Sequence, residues 1–254
     1  MSIPDSEINR GWITAGTSRL WGTKKGTYSS VAYDRLPSLP SVDPSFAWLA
    51  SVPDRDYGCT LDSVDNKLGS LPAIEAELGR LGFRLPDDFS AFIRKPDIYG
   101  RIPSCTACFL EVSDAVAPLP GFPGSYVVRF MNDSQSCVLW YLLFQPSLPV
   151  RILACSYFIE RDIFDAMEYL ADEDRPLDYR DVLKDSCICA ESFGEFMCRF
   201  GLENMIWFAI HEEELLSPVE QRYLDQAHKA EQGGSTEPGG GATVSSRTPL
   251  SPGR

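Results

Sequence analysis

Apolar positions along this chain follow two different periods, and the places where the period changes divide it into elements. Over "LPAIEAELGRLG" (71–82), Leu71, Ile74, Leu78 and Leu81 fall at i, i+3, i+7 and i+10. That spacing places them on one helical face, and Gly82 is positioned to cap the C-terminus. "PDDFSAFIRK" (86–95) predicts a second, short helix. Pro86 suits its first position, Asp87 and Asp88 occupy its first turn at the positive end of the dipole, and Phe89 and Phe92 supply its buried side.

Downstream the period becomes that of strands. "ACFLEVS" (107–113), "SYVVRFMN" (125–132), "SCVLWYLLF" (136–144) and "VRILACSYF" (150–158) are β-branched or aromatic runs, bounded by the turn-forming stretches "PLPGFPG", "NDSQ" and "QPSLP". The short connections predict an antiparallel meander. Helical spacing returns in "SFGEFMCRFGLENMIWFAIHEEE" (192–214), where Phe193, Phe196, Met197, Phe200, Ile206, Trp207 and Ile210 form a stripe broad enough to cover a sheet face. Ser192 with Glu195, and Ser217 with Glu220 ahead of "QRYLDQAHKA", are capping-box patterns that open this helix and a last one.

These elements predict an α+β domain, an antiparallel sheet of four or more strands with flanking helices, over residues 67–230. Residues 1–66, with the Pro/Ser-rich connector "RLPSLPSVDPS", are expected to be an irregular extension packed on that domain. Residues 231–254, "EQGGSTEPGGGATVSSRTPLSPGR", contain too little apolar surface to offset ordering entropy and are expected to be a disordered tail.

Composition narrows the function. The first residues carry neither a basic nor an apolar leader segment, and no uncharged apolar stretch approaches the ~20 residues of a membrane span. A non-exported, cytoplasmic protein with no membrane association is expected, and its eight cysteines are then reduced thiols, small hydrophobes where they sit in apolar runs, as Cys137, Cys155 and Cys198 do. The net charge is −13, and residues 160–231 hold 19 Asp or Glu against 7 Lys or Arg. Phosphate-binding surfaces need the opposite balance, so direct nucleic-acid binding is not expected and a basic protein partner is.

Few residues carry a pattern of reaction chemistry. Cys105 and Cys108 form a C-x-x-C and Cys187 and Cys189 a C-x-C, together enough thiolates for a zinc ion. However, the first pair runs into a strand, where its side chains would diverge. His211 and His228, the only histidines, fall near predicted helix ends. No nucleophile turn, phosphate loop or cation loop of recognised spacing occurs, so no catalytic, cofactor or metal residue is assigned.

The segment "LGFRLPDDFSAFI" resembles the Leu-Pro-acid-acid-aromatic helix start of the SUKH superfamily, the Smi/Knr-like domain. "YVVRFMNDSQSCVLWYLLF" and "SFGEFMCRFGLENMIWFAIHEEELLSPVEQRYL" resemble the sheet and aromatic C-terminal helix of bacterial members. The likeness implies a non-enzymatic α+β binding domain, an immunity protein that neutralises a toxin, often a nuclease, by direct binding. The alternatives are a regulatory or scaffold module without a toxin and a cysteine-based metal-binding protein. For contact with a basic partner the acidic stretch around Asp162, Asp165, Glu168, Asp172, Glu173 and Asp174 is the expected site.

Overall fold

The computed structural model describes residues 8–15, 28–40, 43, 45–51, 59–63, 67–95, 99–160, 184 and 186–233. They form an α+β fold. Nine strands are described: β1 (Asn9–Ala15), β2 (Tyr28–Ala32), β3 (Asp62–Ser63), β4 (Phe109–Leu110), β5 (Ala117–Pro118), β6 (Tyr126–Asn132), β7 (Leu139–Phe144), β8 (Arg151–Cys155) and β9 (Cys187–Ala190). Their order is β2-β1-β9-β8-β7-β6-β4-β3, with β5 also on β6. The β1–β9 and β3–β4 pairs are parallel and the others antiparallel. The expected meander is the β6-β7-β8 centre of this sheet.

Among the described residues the α-helices are α1 (Leu71–Arg80), α2 (Asp87–Ile93), α3 (Phe193–His211) and α4 (Pro218–Gly233). Phe193 opens α3 and meets the rings of Phe46, Phe89, Phe92 and Phe130 at centroid distances of 6.1, 5.1, 5.2 and 5.3 Å. Leu71, Ile74 and Leu78 of α1 join this core, as do Trp140, Leu142 and Phe144 of β7. The alternate residues of the same strands, Val127, Leu139, Tyr141, Leu143 and Leu153, are buried on the other face with Leu119, Phe122 and Ile159. Burial on both faces explains why "CVLWYLLF" is continuously apolar. A charged group is held on that second face: Arg129 is 5% exposed and pairs with Glu111 at 2.5 Å and with Glu160. Helix α4 packs on the outer half of α3 through Tyr223, Leu224 and Ala227 against Leu202, Met205 and Ile206.

Several expectations change. The segment 1–66, expected to be irregular, supplies β1, β2 and β3 to the sheet. Trp12 of β1 is 2% exposed, and its indole N–H donates at 2.7 Å to Glu203 in the middle of α3. Pro86 lies just before α2, at its N-cap with ψ 143°, and not at the first helical position. Cys137, expected to be buried, is exposed because it lies in the β6–β7 turn ahead of Leu139. Helix α4 continues three residues past the expected boundary at 230, and of the expected tail residues 234–254 lie outside the described residues. No helix among the described residues is long and apolar enough to cross a membrane.

Candidate functional site

The Leu-Pro-acid-acid turn forms one wall of a groove of about 800 Å³. Its construction begins at the end of α1. Gly82 adopts φ 83°, the left-handed conformation that costs glycine least. The Phe83 N–H then bonds the Leu78 carbonyl at 2.8 Å and the Gly82 N–H bonds that of Gly79 at 3.2 Å, a Schellman ending. This reversal turns Phe83 toward the sheet, edge-on to Tyr126 at 5.9 Å and Phe144 at 5.8 Å. Arg84, Leu85 and Pro86 follow along the groove to the start of α2, and the facing wall is the β7–β8 turn, Pro146 to Val150. In that turn Ser147 has φ 63° and Leu148 is 39% exposed. A smaller hollow of about 310 Å³, lined by Leu119 and Phe122, continues from the groove across Gly124 and Tyr126.

The two aspartates of the turn have different environments. Asp87 is exposed. Asp88 reaches from α2 to α3: its Oδ2 accepts from the Gly194 N–H at 2.8 Å while Oδ1 accepts from Phe89 N–H at 2.8 Å. Both oxygens satisfy helix N-terminal amides, a favourable place for negative charge. The next α3 amide, Glu195 N–H, bonds Ser192 Oγ at 3.1 Å, and Glu195 Oε2 accepts from Glu191 N–H at 3.0 Å. The expected capping box is therefore present, displaced by one residue on its return arm. Glu191, also on the groove, is ion-paired with Arg10 of β1. The groove thus combines an apolar floor with a rim of Arg84, Asp87 and Glu191, an arrangement suited to contact and shape recognition.

The cysteines do not converge. Cys105 and Cys108 lie in the turn before β4, where Cys105 N–H bonds Asn204 Oδ1 at 2.8 Å and Cys108 N–H bonds Ser104 Oγ at 2.7 Å. Cys187 and Cys189 are buried in β9, on the far side of β6, β7 and β8 from β4. Burial pushes the Cys108 and Cys187 thiols up to about 12, and Cys105 higher still, which keeps them protonated. Among the described residues no group of three or more His, Cys, Asp or Glu is arranged to hold a metal ion. His211 ends α3, stacked on Trp207 at 4.8 Å, and His228 lies exposed on α4.

Asp162, Asp165, Glu168, Asp172, Glu173 and Asp174 lie outside the described residues. Glu160, just before them, is held by Arg129 and accepts from the Tyr141 hydroxyl at 2.9 Å. The sequence marks Leu85–Phe89 as a helix start and a family resemblance, and it points to neither wall of the groove as a contact site. The Pro/Gly turn signals "PLPGFPG" and "QPSLP" were the only local pointers to that facing wall. Comparison of the chain with protein-family models, with curated proteins and with solved structures finds no match.

Proposed function

We propose that this chain is a cytoplasmic protein-binding domain of the SUKH type, an immunity protein that neutralises a basic toxin, such as a nuclease, by occupying it. The observation that carries this reading is the state of Asp88 in the Leu85–Pro86–Asp87–Asp88–Phe89 motif. Both its oxygens are engaged by backbone amides of two helices, so the motif builds an open, apolar-floored groove and leaves no acid pair poised for proton transfer. Supporting it are the α+β architecture with a mainly antiparallel sheet and the acidity of residues 160–231. Occlusion needs an apolar anchor surface for residence time and an acidic field for steering, and both are available here.

The test is a titration of the purified chain against a toxin encoded beside it, with wild type and Leu148→Asp compared. A charge at this exposed position in the β7–β8 turn leaves the core untouched and is expected to weaken binding by about tenfold or more if the groove is used. Undiminished affinity and undiminished protection against the toxin would rule the groove out as the contact surface.

A further inference from the structure

A second pocket, between the β6–β7 turn and the outer half of α3, has a different chemistry. It encloses about 530 Å³, with Cys105, Thr106, Asp133, Gln135, Trp207 and Phe208 among its walls. Asp133 is 2% exposed. Its carboxylate accepts from the N–H of Gln135 at 2.6 Å and of Cys137 at 3.0 Å, and from the Tyr28 hydroxyl. Burial above all, then the nearby Cys108 and Asp133, holds that hydroxyl protonated as a donor. All three donors are neutral, and among the described residues no Lys, Arg or His pairs with Asp133. A carboxylate removed from water and held only by neutral dipoles attracts a cation far more strongly than an exposed one does.

The opposite wall is aromatic. Trp207 is half-buried, meets Phe208 edge-on at 4.9 Å and has one ring face stacked on His211, which does not line the pocket. Indole rings attract guanidinium groups, and a pocket with a ring on one side and a buried acid on the other matches the stem and fork of arginine. Beyond Trp207 the end of α3 is unusual for this chain. Ile210 and Val219 are each 45% exposed and Leu215 is 93% exposed, three of the four large aliphatic side chains so exposed among the described residues. Glu212, Glu213 and Glu214 lie exposed among them, and no Lys or Arg occurs between Arg199 and Arg222. The apolar stripe of α3 runs past the end of the core it covers, into an acidic rim.

We propose that the pocket at Asp133 and Trp207 receives an arginine side chain of a basic protein partner, with Ile210 contacting apolar residues beside that arginine and Glu212 to Glu214 steering it. This rests on the reading of the chain as a binder of a basic protein, and it adds an anchor site away from the groove. It is a docking site for a partner's arginine, in which charge on the acid and the aromatic wall both contribute.

The experiment needs no toxin, so its outcome is separable from that of the toxin titration. Nα-acetyl-arginine amide is titrated into the full chain while the Trp207 indole N–H resonance, assigned through Trp207→Phe, is followed. Nα-acetyl-citrulline amide, nearly the same shape without the charge, is the comparison. A saturable shift is expected with arginine, with binding about tenfold weaker or more for citrulline and for Asp133→Asn. The asparagine retains an oxygen for the turn amides, and an unchanged circular dichroism spectrum and urea midpoint confirm its fold. If it does not fold, Trp207→Ala, read by calorimetry, must weaken arginine binding instead. A peptide with arginine between leucines is expected to bind more tightly than the arginine amide and to lose that gain when Glu212, Glu213 and Glu214 are all changed to Gln. Equal binding of citrulline, or undiminished binding by Asp133→Asn, overturns the proposal. A peptide that gains nothing over the amide overturns the docking part, leaving a site for small cations only.

Discussion

The clearest consequence of the groove's construction is the effect of removing the Asp88 carboxylate. In Asp88→Ala the Gly194 N–H at the start of α3 loses an acceptor 2.8 Å away, and Phe89 N–H loses one at the same distance. A hydrogen bond to a charged acceptor contributes about 1.5–3 kcal/mol, the lower figure applying to a half-exposed group such as this. The field of the α3 N-terminus adds about 0.3–1 kcal/mol. Water replaces part of the bond to Phe89 N–H, so the net loss is about 2 kcal/mol. With a urea slope of about 3 kcal/mol/M for a chain of this size, the unfolding midpoint falls by about 0.7 M. Asp88→Asn keeps one acceptor oxygen and loses the charge, so about half that shift is expected. Asp87→Ala is the internal control: Asp87 is exposed, and its change stays within about 0.5 kcal/mol. Equal midpoints for Asp88→Ala and Asp87→Ala would refute the assignment of Asp88 as the brace between α2 and α3.

Two further outcomes follow from packing and burial. Phe193→Ala, at a residue 1% exposed among four other phenylalanine rings, is expected to cost about 3–5 kcal/mol and to lower the thermal midpoint by roughly 10 °C. The Cys187 thiol is raised by burial from 9 to about 12, so above pH 9 the unfolded chain releases its proton first. Stability is complete below that pH and falls as pH rises toward 12, by about 1.4 kcal/mol per pH unit for this thiol, and Cys187→Ala is expected to flatten that slope in urea titrations across this alkaline range.

The helices and the β6-β7-β8 centre were legible in the sequence because their apolar periods are local and their ends carry local signals, such as Gly82, Ser192 and Ser217. The strands before residue 64 were not. "NRGWITA" is short, has only two large apolar residues, and contains a glycine that strand propensity disfavours. The reason for Gly11 is long-range: a Cβ there would lie 3.1 Å from the Val31 carbonyl oxygen of β2. The acceptor role of Asp88 was hidden for the same reason, since its partner Gly194 lies far along the chain. Helical spacing identified the inward face of α3 correctly through Ile206. It placed Ile210 on that face too, but spacing specifies a direction and not where the neighbouring surface stops.

The pairing of β1 with β9 has a consequence for how the molecule reaches this state. Asn9 leaves the ribosome well before its sheet partner Cys187, from which most of the described strands separate it. The meander can close by nearest-neighbour turns while synthesis continues, whereas β1 has to wait for β9. Such pairings slow folding, because the long intervening chain must lose its freedom before the contact repays it. During that wait β8 presents a bare, apolar edge, the feature most prone to pairing with the wrong molecule. Until β9 is made, the β8 edge is therefore a place where the nascent chain is open to mispairing.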